Sequence, residues 1–408
     1  MKLPMTAIAL GLAAMGMTTP AAAVTTAVAQ DEEQKAPELS KKGQEALAAL
    51  QAAIQEERWA DVPALVATAE SDTETNDGKI ILQKLRLNAA INMEDYEAAI
   101  DPIDKLAAMG AMEPQFNQVY VEVGKRRLFD ENYDGAADVL QKALNTDPNN
   151  AEALIALAEV RTEQGQVDEG IKLLTDAIAQ AEAAGGAEES WYKRAVKLAY
   201  DNENPAVFGL TRNWVTNYPS ASNWRDTLRI YMGFNDADPA KVLDIMRLQF
   251  AAGALESEGD YLLYAEELLR AGFPGEAMAV INAGKQANAF DMNKRIVTEI
   301  ISMAENQAKG DRESLDADFQ GALSGSEPKK TITLADAYYG YGEYQKAAEL
   351  YRAALGKSGV QANLANLRLG MTLARSGDYA AAKEVLSQVS GAQADAAAYW
   401  LAWVETQM

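Results

Sequence analysis

Two side chains that many enzymes rely on are missing from this chain: none of its 408 residues is histidine or cysteine. That removes thiol nucleophiles, disulfides, imidazole bases and nearly every transition-metal site. Carboxylate, lysine, hydroxyl and phenol groups remain. Glu189 and Ser190 set an acid beside a hydroxyl, just before Trp191. They fall where a helix should begin, and both are ordinary residues there. The segments DNENPAVF (201–208) and NDADPAKV (235–242) cluster Asp and Asn. They lack the glycine and closing glutamate of a calcium loop, and read as turns ahead of helices. No glycine-rich phosphate loop is present. No catalytic residue, metal site or cofactor is expected.

Binding chemistry is better supplied. Lys84 and Asn88 lie four residues apart, on one face of a helix. Tyr338, Tyr339, Tyr341 and Tyr344 cluster near the C-terminus. The elements that hold such residues follow from composition. Apolar residues are 48% of the chain, enough for a large interior, and much of this is alanine, which favours closely packed helices. The formal charge of −23 disfavours nucleic acid and anionic lipid as partners.

The first thirty residues, MKLPMTAIALGLAAMGMTTPAAAVTTAVAQ, have one early lysine, an apolar run from about Ala7 to Met17, and two A-x-A endings. This is the layout of a secretory signal peptide, and the run is too short for a permanent membrane helix. Without cysteine, lipidation at the cleavage site is excluded. The expected location is a bacterial periplasm, with 1–29 removed and an acidic disordered leader over 30–42.

The rest of the chain repeats itself. YGEYQKAAELYRAAL (341–355) and SGDYAAAKEVLSQV (376–389) align on Gly342 and Gly377 at an offset of 35. Leu334 then falls on Leu369, Tyr344 on Tyr379 and Ala347 on Ala382. An earlier pair puts Ala136 on Gly170, Leu140 on Leu174 and Ala143 on Ala177, an offset of 34. Periods of this size with helical spacing inside each unit mark stacked helical hairpins. Gly124 and Ala136 are small where the two helices of one hairpin must approach closely.

These units resemble tetratricopeptide repeats. One unit matches as Tyr120, Val123, Gly124, Tyr133, Ala136, Leu140, Ala143 and Pro148; another as Leu334, Ala335, Tyr338, Gly342, Tyr344, Ala347, Tyr351 and Ala354. Weaker copies centre on RWADVPALV, EDYEAAIDPI and GFPGEAMAVI. The resemblance implies an all-α fold, a right-handed α-solenoid of stacked helical hairpins. Repeats are expected over 43–323, degenerate in 187–323. A loop or hinge is expected at 324–330, then a repeat pair with a capping helix over 331–408.

The resemblance also implies an inner face built from the first helix of each hairpin. Matched positions there are Lys84, Asn88, Val121, Lys125, Phe129, Glu159, Tyr192, Glu266, Asp336 and Tyr339, with Tyr341 beside them. Lys84 and Asn88 resemble half of a carboxylate clamp, but Glu122 stands where the next unit needs an asparagine. Glu189-Ser190 resembles the Glu-Ser of lytic transglycosylases, though no catalytic domain follows. The expected function is a non-catalytic exported scaffold holding a protein or peptide partner in the cell envelope. The alternative is an envelope accessory protein handling glycan or peptidoglycan.

Overall fold

A computed structural model describes residues 37–235 and 239–408. The expected signal peptide and the leader up to residue 36 lie outside these residues. The described residues hold twenty-one α-helices and no strand, arranged as ten successive pairs and a last helix. The chain divides into two compact units, one ending at Ala187 and one spanning Glu188–Met408. That division differs from the expected hinge at 324–330.

Unit 1 is built from α1 (Lys41–Gln55), α2 (Val62–Asp72), α3 (Asn76–Asn92), α4 (Ile100–Ala108), α5 (Asn117–Phe129), α6 (Tyr133–Thr146), α7 (Ala151–Glu163) and α8 (Val167–Ala183). Each odd-numbered helix pairs with the next, and neighbouring pairs stack. The expected leader is shorter than 30–42, because Ser40 already caps α1 by accepting from the Gly43 N–H. A side-chain oxygen at the cap satisfies one of the donors a helix start leaves unpaired.

The hairpin turns share one geometry. Glu57, Glu94, Glu131 and Gly165 each adopt positive φ, from 54° to 78°. The next residue's N–H reaches back to the carbonyl five residues earlier, as from Asn132 to Arg127 at 2.8 Å. This is the left-handed helix ending that usually takes glycine. In unit 1 three of these four turns place glutamate there. Two residues on stand Trp59, Tyr96 and Tyr133; Tyr133 opens α6, while Trp59 and Tyr96 lie in the turns ahead of α2 and α4.

Small residues then let the helices close. A Cβ on Gly124 of α5 would stand 2.6 Å from Leu140 Cδ2 of α6. Leu140, Ala136 and Ala143 are fully buried beneath it.

Unit 2 begins with α9 (Glu189–Asp201), α10 (Val207–Asn217), α11 (Ala221–Phe234), α12 (Pro239–Ala251), α13 (Glu258–Ala271) and α14 (Pro274–Gln286). It continues with α15 (Arg295–Ala308), α16 (Asp311–Ser324), α17 (Pro328–Gly340), α18 (Tyr344–Leu355), α19 (Ala362–Arg375), α20 (Tyr379–Leu386) and α21 (Ala394–Glu405). The tight-approach motif recurs in α19 and α20, where a Cβ on Gly370 would lie 2.5 Å from Leu386 Cγ. Gly342 and Gly377 hold the left-handed turn position at φ 75° and 84°.

The expected loop at 324–330 shrinks to three residues, Gly325 to Glu327. Proline at the first position of a helix loses no hydrogen bond, so Pro328 starts α17 at once. Helix α21 does more than cap the last pair. It packs on α19 and α20 and also reaches α10 and α12. Tyr399 shares a 2.7 Å hydrogen bond with the buried Thr211 hydroxyl, and Trp400 Nε1 donates to the Asp244 carbonyl at 3.1 Å. Within unit 2 the helix array thus closes on itself.

Candidate partner-binding face

In unit 1 the first helices of the hairpins, α3, α5 and α7, carry polar side chains that bridge neighbouring hairpins. Lys84 pairs with Glu113, and Lys125 of α5 pairs with Glu152 of α7. Gln118 donates to the same Glu152 carboxylate at 3.0 Å. Burial works against the Glu152 charge, but Lys125 and Gln118 outweigh it and hold its pKa below the ordinary value. Asn88 accepts from Asn92 on the same helix. Glu159 is half-buried.

Phe129 closes α5, one turn after Lys125, and is 86% exposed. It is the most exposed large apolar side chain among the described residues. Residues four apart on a helix share a face. Lys125 and Phe129 therefore offer an amphipathic pair on the surface of unit 1.

Other matched positions turn inward. Val121 is fully buried, and Tyr192 of α9 lies in the core of its hairpin, packed edge-on against Tyr218. Both belong to packing: Val121 lies in the core of unit 1, and Tyr192 lies against its hairpin mate. Asp336 is buried, and Tyr339 is only 7% exposed. The ring of Tyr339 lies against the Arg247 guanidinium at 5.2 Å. Tyr341 is half-buried, donates to Asp311 at 2.8 Å, and covers Gly275, where a Cβ would meet its Cε2 at 2.5 Å. The two tyrosines left over by repeat packing are thus committed to the fold.

The centre of unit 2 is ionic, which local sequence patterns conceal. Arg247 of α12 is 1% exposed and bonds Glu276 at 2.8 Å and Asp244 at 3.0 Å. Tyr264 donates to Glu276 at 2.7 Å. Arg368 and Tyr351 both donate to Asp336. Burial opposes the Arg247 charge, but Glu276, Asp336 and Asp244 raise its pKa well above the usual arginine value. Burial raises the Asp336 pKa despite Arg368 and Arg247. Charges at this depth persist only when paired. The sequence signal was charge set inside an apolar run, as with Asp244 and Arg247 in KVLDIMRLQF.

Glu189, the acid once weighed for chemistry, is a strut. It takes hydrogen bonds from Lys193, Asn223 and Trp214, which lower its pKa. These tie α9 to α10 and α11. Ser190 donates to Glu188 instead. Among the described residues no acidic cluster could hold a metal ion, and no helix is long and apolar enough to cross a membrane.

Residues 130–184, running from the α5–α6 turn through α8, match the tetratricopeptide-repeat family model. These residues carry tetratricopeptide repeats. A comparison with curated proteins finds no match. Among solved structures, the repeats are similar to a tetratricopeptide repeat protein from Parabacteroides merdae, at 11% identity and a TM-score of 0.29. That match covers 72% of this chain and 99% of the other. The pentatricopeptide repeat protein PPR10 from maize matches at 14% identity and a TM-score of 0.28, over 88% of this chain and 61% of its own. The Cut9–Hcn1 hetero-tetramer of the APC/C matches at 14% identity and 0.23, over 86% and 72%.

Proposed function

We propose that this tetratricopeptide-repeat chain is a non-catalytic scaffold, exported to the bacterial periplasm, that binds a protein partner of the cell envelope through unit 1. The observation that carries this reading is Phe129, held bare at the end of α5 on the same face as Lys125. An aromatic anchor flanked by a charge is the usual centre of a binding surface. The neighbouring Lys125, Gln118 and Glu152 supply directional polar contacts beside it. A partner segment with an apolar side chain for Phe129 and an acidic one for Lys125 fits this pair. Lys84, Asn88 and Glu159 extend the same row of first helices.

Export rests on the signal-like residues 1–29, whose A-x-A endings place cleavage after Ala23 or Ala29. The absence of cysteine leaves no thiol for lipidation at the cleavage site.

A photo-crosslinking residue at position 129, introduced into the chain in its native host, tests the binding reading. One envelope protein should be captured, and Phe129→Ala with Lys125→Glu should reduce its recovery by at least tenfold. Capture of nothing, or recovery unchanged by the double variant, refutes it. Sequencing the N-terminus of the periplasmic protein tests export separately: an intact Met1 in the cytoplasm overturns that part.

A further inference from the structure

In unit 2 a cavity of about 310 Å³ lies where α12, α14, α17 and α19 converge beside the Gly342 turn. We propose that it binds a small organic monocarboxylate, with Arg375 as the group that takes the carboxylate. Arg375 closes α19 and is half-buried. Arg247 and Arg368, deeper in the same unit, each meet carboxylates. Arg375 makes no ion pair among the described residues. Its guanidinium lies 5.6 Å from the Phe250 ring centre and 5.9 Å from that of Tyr344. Its Nε donates to the Tyr344 hydroxyl at 3.3 Å. Among the described residues the two terminal nitrogens, the fork that suits a carboxylate, meet no hydrogen-bond or ion-pair partner.

The charge balance of the wall favours an anion. Besides Arg375, the only charged residue lining the cavity among the described residues is Glu276. Its carboxylate is occupied by Arg247 and Tyr264. Its main chain lies against Gly340, where a Cβ would stand 2.9 Å from the Glu276 nitrogen. The first turn of α14, which has no side-chain cap, forms part of the same wall. An uncapped helix start adds partial positive charge. One guanidinium and no second cation suit a single negative charge better than a phosphate.

The remaining walls select the body of the ligand. Phe250, Tyr339, Tyr341 and Tyr344 line the space with aromatic rings. Tyr339 and Tyr341 are already fixed, by packing on Arg247 and by the bond to Asp311. A pre-organised wall spares the ligand the cost of ordering it. The volume equals about ten waters at roughly 30 Å³ each, room for one ring or a short aliphatic body. The carboxylate could belong to a free acid or to the C-terminus of a peptide ending in an apolar residue.

The probe is phenylacetate, titrated by ligand-observed NMR into the mature chain, residues 30–408. Saturable binding is expected. Phenylacetamide, which lacks the charge, should bind at least tenfold more weakly, as should phenylacetate with Arg375→Gln. Acetyl-Gly-Phe distinguishes the sources. If it binds more tightly than phenylacetate while its amide does not, the site takes a peptide terminus; if it binds more weakly, a free acid. Should Arg375→Gln lose its helical circular dichroism, Arg375→Lys is read instead. It keeps the charge without the fork, and should weaken binding at least threefold. The proposal is overturned if phenylacetate shows no saturation up to about 10 mM, a dissociation constant weaker than roughly −3 kcal/mol of binding. It is equally overturned if the folded Arg375 variant binds as the parent does.

Discussion

The clearest test of the hairpin geometry is the same small substitution made at two glycines, where opposite signs are expected. At Gly124 an added Cβ would lie 2.6 Å from Leu140 Cδ2, about 1 Å inside the ~3.5–4.0 Å at which carbons rest. Leu140 is fully buried and cannot swing into solvent. Overpacking of this kind costs about 1–3 kcal/mol, against about 1 kcal/mol that alanine gains over glycine in a helix interior. Gly124→Ala should therefore lower stability by ~1 kcal/mol. At Gly321 of α16 nothing lies within 4 Å of the added Cβ, so Gly321→Ala should raise stability by ~0.5–1 kcal/mol. Leu140→Ala alone should cost ~2–5 kcal/mol through the cavity it leaves. In that background Gly124→Ala should turn neutral or stabilising, a coupling of ~1–3 kcal/mol. Urea unfolding of residues 30–408, followed by helical circular dichroism, measures all four variants. If Gly124→Ala stabilises the parent as much as Gly321→Ala does, the close approach of α5 and α6 is refuted.

Three further outcomes are expected. Glu131→Gly should raise the urea midpoint by a stability gain of up to ~1 kcal/mol, since it relieves a left-handed residue whose strain is ~1–2 kcal/mol and gives back part in chain entropy. Arg247→Met should cost ~3–5 kcal/mol by leaving Glu276 and Asp244 buried without their partner, whereas the exposed Arg295→Ala should change little. Asp260 is subject to burial that would raise its pKa, but the Ser257 N–H, Arg229 and the Ser257 hydroxyl bring it down to about 2. A carboxyl lowered by folding stabilises above its unfolded pKa of about 3.9 and loses that contribution as pH falls toward the folded value. Asp260→Asn should accordingly flatten the stability decline between about pH 4 and pH 2, read from unfolding midpoints across that range.

The hairpins were legible because their signature is local. Gly124, Ala136, Leu140 and Ala143 carry the close approach in their own sizes, and the 34–35 residue spacing carries the stacking. The turns were half legible. Glycine at 165, 342 and 377 announces the left-handed position, while glutamate at 57, 94, 131 and 203 adopts it without a compositional mark. The segment SGSEPKKT has the composition of a loop, yet proline is also a helix starter, and Pro328 onward belongs to α17. Least legible was the interior of unit 2. Asp244, Arg247, Glu276, Asp336 and Arg368 come from four helices and become a network only after α12, α14, α17 and α19 are brought together. The placement of Tyr339 followed the same rule. Its surface role was inferred from one hairpin, and its burial is decided by α12 from elsewhere in the chain.

The return of α21 to α10 and α12 changes how unit 2 can evolve and fold. A stack open at both ends gains or loses a hairpin by duplication, and its stability is close to a sum over neighbours. A stack whose last helix touches its second cannot do this, because one added pair would carry Tyr399 away from Thr211 and Trp400 from Asp244. Each hairpin then has a fixed address, and selection acts on its particular neighbours rather than on a shared consensus. That accounts for the blurred repeat signature between 187 and 323. It also makes contacts nearly 190 residues apart part of the native state, so unit 2 should fold more slowly and in a more all-or-none manner than an open array of the same length.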